Sequence, residues 1–228
     1  MLDNFTFVVA VRKGSKRVKN KNIKKFGDSS LIELKLDQIR RLFKSVKILV
    51  SSDCPKCLKV ARKYNAMIDV REKKYASNLI PMKQVYKYLA KKVKTKFVCY
   101  LHVTSPFLKD ITLKKSINLF TKNLKKFNSL ATVTTLKEYM WQNGKPLNYN
   151  PNNHPRSQDL KKIFALNFAV NIVTTEYMKS FGRITSDKYY PVVIDFPENI
   201  DIDNKWQFII GDYIKKNTNK FFNIRNDN

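Results

Sequence analysis

A chain of 228 residues, 43% hydrophobic and 12% aromatic, can bury one sizeable core, and its apolar runs are strand-length, which excludes a membrane-spanning helix. The formal net charge of +27 suggests a polyanionic partner, yet 36 of the 45 basic residues are lysine, spread along the whole chain rather than gathered on one tail or helix face. Asn, Ile, Phe and Tyr are abundant too, as AT-rich coding favours, so coding bias accounts for the charge without a dedicated nucleic-acid function.

Met1-Leu2-Asp3-Asn4 places an acid and no Lys or Arg before the first apolar run, unlike a secretory signal. Residues 5–11 (FTFVVAV) are too few for a buried helix and predict a central strand. The strand runs into Arg12–Asn22, which holds one glycine, one serine and six cations. A loop leaving the carboxyl end of a parallel strand is where open α/β sheets bind ligands, and Lys, Arg and backbone N–H groups there favour phosphate. The competing reading is a solvated loop of a Lys-rich chain. Helical spacing follows at 31–43, a strand at 46–51, a helix at 55–64 and a short strand at 66–70. Cys54-Pro55-Lys56-Cys57 is a CxxC after a strand, but proline suits a first helical turn and only two histidines exist to complete a metal site. Three cysteines, an odd count, imply no disulfide framework and a reducing, cytoplasmic setting. A helix at 81–94, an apolar strand at 97–103, a helix at 111–124 and a strand at 129–135 continue the alternation, which predicts a largely parallel sheet with helices on both faces. Residues 136–160 break it with Trp141, Gly144, three prolines and several Asn, and predict a loop excursion. A strand at 163–173, a short helix at 175–181, extended pieces at 190–194 and 199–202, and a helix at 206–216 complete the body. The remainder is polar, with residues 219–228 expected to be mobile.

Four clusters fall at strand ends or in loops: the basic loop, Ser51-Ser52-Asp53, His102-Val103-Thr104-Ser105-Pro106, and Asp201-Ile202-Asp203. In an extended segment, residues i and i+2 share a face, so Asp201 and Asp203 can present two carboxylates to one point, the common way to hold Mg²⁺ beside phosphate oxygens. Alone, a DxD is as well explained by two solvated acids, and Ser105-Pro106 by a helix cap. The chain has only 18 acids, which adds weight to a spaced pair. The basic loop contains neither GxxxxGK[ST] nor GxGxxG, so a P-loop ATPase and an NAD site are not supported.

Arg12-x-x-Ser15-Lys16-x-x-x-x-Lys21-Asn22 resembles the N-terminal signature of the acylneuraminate cytidylyltransferases, the CMP-sialic acid synthetases. The likeness continues through Val50-Ser51-Ser52-Asp53, Arg71 with Ala76-Ser77, Thr104-Ser105-Pro106, Arg156-Ser157-Gln158-Asp159-Leu160 and Ile200-Asp201-Ile202-Asp203, spanning about residues 5–215 in order. The resemblance implies a Rossmann-like α/β nucleotidyltransferase, a single domain over 1–218 with the 136–160 excursion as a dimer contact, and a homodimer. It implies transfer of CMP from CTP to a 2-keto sugar acid with release of pyrophosphate. Arg12, Lys16 and Lys21 would be the catalytic cations. Ser15, Asn22, Arg71 and Ser77 would join them around the nucleotide. His102, Thr104, Ser105, Arg156, Gln158 and Asn167 would face the sugar acid, and Asp201 and Asp203 would hold Mg²⁺.

The chain departs from the family pattern at several sugar-facing positions. His102 replaces a glutamine, Asn78 an aspartate, and Phe168 the glycine of an Asn-Gly pair; the arginine after Ser-Pro-Leu is missing, with Lys109 nearby. The nucleotide half is kept better than the sugar half, leaving the sugar acid open among nonulosonic acids. The octulosonate branch lacks the Ser-Lys…Lys-Asn pattern. The alternative within the enzyme class is a nucleotidyltransferase for another NTP or acid, and the alternative from a different class is an idle protein of the same fold binding nucleic acid or a polyanionic glycan.

Overall fold

The computed structural model describes residues 2–218; the predicted tail at 219–228 lies outside them. In chain order the strands and helices are β1 (Phe5–Ala10), β2 (Lys25–Phe26), β3 (Ser29–Ser30), α1 (Leu31–Leu42), β4 (Lys47–Ser52), α2 (Pro55–Lys63), β5 (Met67–Val70), α3 (Lys73–Ala76), α4 (Met82–Lys92), β6 (Phe97–Leu101), α5 (Asp110–Lys122), β7 (Ser129–Leu136), β8 (Trp141–Gln142), β9 (Lys145–Pro146), β10 (Ile163–Thr174), α6 (Thr175–Phe181), β11 (Tyr189–Val193) and α7 (Lys205–Lys216).

Seven strands form one sheet in the order β11-β7-β10-β6-β1-β4-β5. All neighbouring pairs are parallel except those of β10, which runs antiparallel to both β6 and β7. β1 is an interior strand between β6 and β4, buried from Phe5 to Val9 because both of its faces are covered, which explains why it reads as a continuous apolar run. On one face Phe5, Phe7 and Val9 pack with Leu36 and Ile39 of α1, Leu58 of α2 and Ile117 and Phe120 of α5. On the other, Val8, Leu49, Val98 and Val173 meet Val85 and Leu89 of α4 and Met178 of α6. The mostly parallel sheet with helices on both faces therefore stands as predicted.

Differences from the sequence reading lie in short pieces. Residues 25–30 form the β2–β3 hairpin, turned by Gly27 at φ +60°, a left-handed conformation that favours glycine. Residues 199–202, predicted as extended, make no ladder; Ile202 N–H instead donates to the Thr104 carbonyl at 2.7 Å. The excursion contains a small hairpin, β8–β9, turned at Asn143-Gly144 with both residues at positive φ, as a two-residue I′ turn requires. Buried Asn148 staples it, its Oδ1 accepting from Met140 N–H and its Nδ2 donating to the Glu138 carbonyl, each at 2.9 Å. No helix among the described residues is long and apolar enough to cross a membrane.

Candidate active site

The loops at the carboxyl ends of β1 and β6 enclose a cavity of about 350 Å³ lined by Arg12, Ser15, Lys16, Arg17, Lys21, Asn22, His102, Thr104 and Asp203, among others. Its base is the β1 exit. Val11 N–H donates to the Ser51 carbonyl at 3.0 Å, and Lys13 N–H to Asp53 Oδ1 at 2.7 Å, which ties the basic loop to the end of β4. Asn22 closes the loop on itself through Nδ2 to the Arg12 carbonyl at 3.2 Å. Arg12 bonds the Asn78 side chain, linking the cavity to the segment after α3.

Lys21 is buried, and its ammonium donates to the Ile202 carbonyl at 2.5 Å while standing 3.7 Å from Asp203. Burial lowers its pKa, opposed by Asp203 and Asp201. Asp203 also pairs with Arg17. Burial raises the Asp201 carboxyl above the ordinary range, the nearby Thr104 side chain opposing the rise and Asp203 adding to it. The basic loop and the aspartate segment, 180 residues apart, thus meet at one point. Four cations against one lining carboxylate give the cavity a positive potential, the electrostatics that favour an anion such as a polyphosphate. No cluster of three or more His, Cys, Asp or Glu able to hold a metal occurs among the described residues. A cation here would rest on the two aspartates and on oxygens of its ligand, which suits Mg²⁺.

His102 sits between the rings of Tyr100 and Phe168, at centroid distances of 5.1 and 5.7 Å. Its Nε2 is enclosed and has no hydrogen-bond partner. Burial, then the charges of Lys35 and Lys21, push its pKa down to about 4, so the imidazole is neutral at neutral pH. Phe168 lies in a bulge of β10, where the register against β7 shifts between Leu166 and Asn171, and it holds φ +58°.

Residues 6–167 of the chain match the family described as Cytidylyltransferase. The chain belongs to the cytidylyltransferase family. Among its relatives is the N-acylneuraminate cytidylyltransferase of Oncorhynchus mykiss, 27% identical over 210 residues, covering 87% of this chain and 48% of that protein; this chain therefore spans about half the length of that relative. The pseudaminic acid cytidylyltransferase of Campylobacter jejuni is 31% identical over 171 residues, covering 69% of this chain and 72% of that protein. In fold the chain is similar to a CMP:2-keto-3-deoxy-manno-octonic acid synthetase solved with CTP, at TM-score 0.65 and 9% identity over 92% of this chain and 97% of that one.

Of the residues singled out by sequence, the cavity gathers Arg12, Ser15, Lys16, Lys21, Asn22, His102, Thr104 and Asp203. The others stand outside it. Arg71 is buried against β4, donating from Nε to Ser51 Oγ at 3.0 Å and from Nη2 to the Ser51 carbonyl at 2.7 Å. Ser77 Oγ accepts from Leu79 N–H at 3.0 Å. Ser105 is buried beneath Thr104. Asn167 Nδ2 donates to Thr134 Oγ1 at 3.0 Å within the β10–β7 ribbon. Arg156 is exposed and pairs with Asp159 at 2.9 Å, and Gln158 shares that short 3-10 turn. Asp201, two residues before the cavity-lining Asp203, does not itself line the cavity.

Sequence reasoning missed Arg17, which looked like one more background lysine-type charge, and Gln207, whose side chain orders the aspartate segment. Gln207 Oε1 accepts from Asp203 N–H at 2.8 Å and Asn204 N–H at 2.9 Å, and Asn204 Oδ1 accepts from Gln207 N–H. The Asn-x-x-Gln spacing of this capping box was the available signal. The CxxC proved structural: Cys54 caps α2, its Sγ accepting from Cys57 N–H at 3.4 Å, and both cysteines are buried.

Proposed function

We propose that this chain transfers CMP from CTP to the anomeric hydroxyl of a sialic-acid-like 2-keto sugar acid, with Mg²⁺ as cofactor. The observation that carries this reading is the convergence of Arg12, Lys16, Arg17 and Lys21 with Asp203 in one cavity at the carboxyl ends of β1 and β6. The hydroxyl oxygen bonds to the α-phosphorus as the bond to the β-bridging oxygen breaks; pyrophosphate leaves with the electron pair, and the hydroxyl proton passes to solvent. Such transfer is driven by positioning and charge neutralisation. Arg12 and Lys16, whose side chains line the cavity, hold the triphosphate and stabilise the leaving pyrophosphate. Lys21 keeps the basic loop in register with the aspartates. Asp201 and Asp203 would hold Mg²⁺, which when bound neutralises the α-phosphate and acidifies the attacking hydroxyl. Arg17, now paired with Asp203, would exchange that partner for phosphate oxygens.

The relatives named for N-acylneuraminate and pseudaminic acid support a nonulosonic acid as acceptor. His102 and Thr104 would meet it in this chain. Arg156 and Gln158, outside the cavity, would meet it only from a second copy, which makes the homodimer part of the proposal.

The test is pyrophosphate release with CTP, Mg²⁺ and a panel of N-acetylneuraminate, legionaminate and pseudaminate. We expect release with at least one acid, and its loss, by a factor of about 100 or more, in Asp203→Asn. Equal turnover with ATP or UTP would remove the cytidylyl assignment, and full activity in Asp203→Asn would remove the metal site.

A further inference from the structure

We propose that Lys35 is a positioning residue for this site: its buried ammonium fixes the turn at residues 104–106, and through it sets His102 and Thr104 against the cavity. Lys35 lies on the buried face of α1 with 2% of its surface exposed. Its Nζ donates to the Ser105 carbonyl at 3.1 Å and to Gln38 Oε1 at 3.0 Å. Gln38 in turn donates from Nε2 to the Leu108 carbonyl at 2.6 Å and to Asp110 Oδ1 at 3.0 Å. Two side chains of one helix therefore pin the β6–α5 connection at three points. The preceding carbonyl, Thr104, is held by Ile202 N–H from the aspartate segment. Adjacent carbonyls of one turn are thus gripped by different elements, α1 on one and the proposed metal segment on the other.

Packing alone does not call for lysine at position 35. No carboxylate among the described residues ion-pairs with it. The charged and titratable groups that face it are Cys99 on β6, Asp110 at the start of α5, which is already engaged by Arg41 and Gln38, and His102. Burying an unpaired ammonium is costly, and a methionine would fill the same volume without that cost. The burial lowers the Lys35 pKa to about 7. What lysine adds is a grip on a backbone carbonyl and, in its protonated form, a charge that with Lys21 reinforces the burial that keeps the His102 imidazole neutral.

The inference is tested on Lys35→Met and Lys35→Gln. The chain has two histidines, so ring NMR signals report His102 with His154 of the excursion as internal reference. In Lys35→Met we expect the His102 titration to move to higher pH and the amide signals of Thr104, Ser105 and Ile202 to shift. On the proposed reaction, the KM for the sugar acid rises about tenfold while that for CTP changes less. Lys35→Gln keeps a donor without the charge; it restores the KM and leaves His102 displaced. Folding is checked by thermal unfolding. Because the native pKa lies below the unfolded value of 10.5, the unfolded chain binds more protons between about pH 7 and 10, so wild-type stability gains with pH there. The variant lacks that gain, and its Tm relative to wild type falls as pH rises from 7 to 9. Wild-type KM values in folded Lys35→Met overturn the positioning role. If the wild-type chain turns over no acid, the proposed reaction fails, and the inference is decided by the amide and histidine signals alone: unchanged signals overturn it.

Discussion

Phe168 shows how a single residue can sit at odds with its backbone and still persist. A bulky side chain at φ +58° costs about 1–2 kcal/mol. Its half-exposed ring, tilted over His102, returns a similar amount by covering apolar surface. Phe168→Gly removes both terms, so denaturant unfolding should place it within about 1 kcal/mol of wild type. Phe168→Ala loses the ring and keeps the strained backbone, and should fall about 1 kcal/mol below the glycine variant. If alanine proves the more stable, backbone strain is not what distinguishes this position. The functional consequence follows from the neighbouring cleft of Tyr86, Leu166, Ile184 and Tyr189, which Phe168 helps to line. Opening it should shift the preference among the sugar acids toward bulkier ones several-fold in kcat/KM, with the KM for CTP unchanged.

At the scale of elements, α7 organises the site without entering it. Its capping box orients the backbone of Asp203 and Asn204 from the first helical turn. Gln207→Ala should cost about 1 kcal/mol of stability in thermal unfolding, and raise the Mg²⁺ concentration needed for half-maximal pyrophosphate release. Gln207→Glu retains the box and should keep the stability. Wild-type Mg²⁺ dependence in the alanine variant would show that the aspartates need no such support. Elements of this length were legible in the sequence because periodicity needs several turns or alternations to register: β1, β4, β6, α1, α4 and α5 fall within one or two residues of their predicted bounds. The two-residue strands β2 and β3 and the single-turn α3 are too short to leave a period. The direction of β10 was invisible because alternation marks a strand without its sense. In the site, position at a strand end marked the basic loop as a whole, and the family resemblance singled out Arg12, Lys16, Lys21 and Asn22 within it. Lys35 was not, since among 36 lysines nothing in the one-dimensional pattern separates a buried ammonium from a solvated one.

For the whole molecule, the unresolved demand is placed by Arg156 and Gln158. Both stand outside the cavity of their own chain, on an excursion that exposes Tyr139, Trp141 and Leu147 beside Phe164 and Leu166 of β10. Trp141 is 56% and Leu147 54% exposed, although the hairpin that carries them is ordered by Asn148 and by the packed rings of Tyr139, Tyr149 and His154. A braced hairpin presenting a large apolar face suits a surface that is covered in solution. A stable pair would bury about 800 Å² per copy, roughly 20 residues a side, which the excursion and the projecting half of β10 can supply together. Opposing this, two copies each carrying +27 repel one another, so association should strengthen as salt screens the lysines. We therefore expect a homodimer by light scattering, tighter at 300 mM than at about 30 mM salt. Trp141→Ala combined with Leu147→Asp should yield monomers that still bind CTP, because every cavity-lining residue remains in place. If Arg156 and Gln158 serve the partner's site, those monomers lose turnover of the sugar acid by about 100-fold or more. Mixing them with a chain inactive through Asp203→Asn restores nothing, since the broken interface cannot lend the missing side chains. A monomeric variant with full turnover would confine the acceptor site to a single chain and leave His102 and Thr104 as its principal walls, with Phe168 in the adjoining cleft.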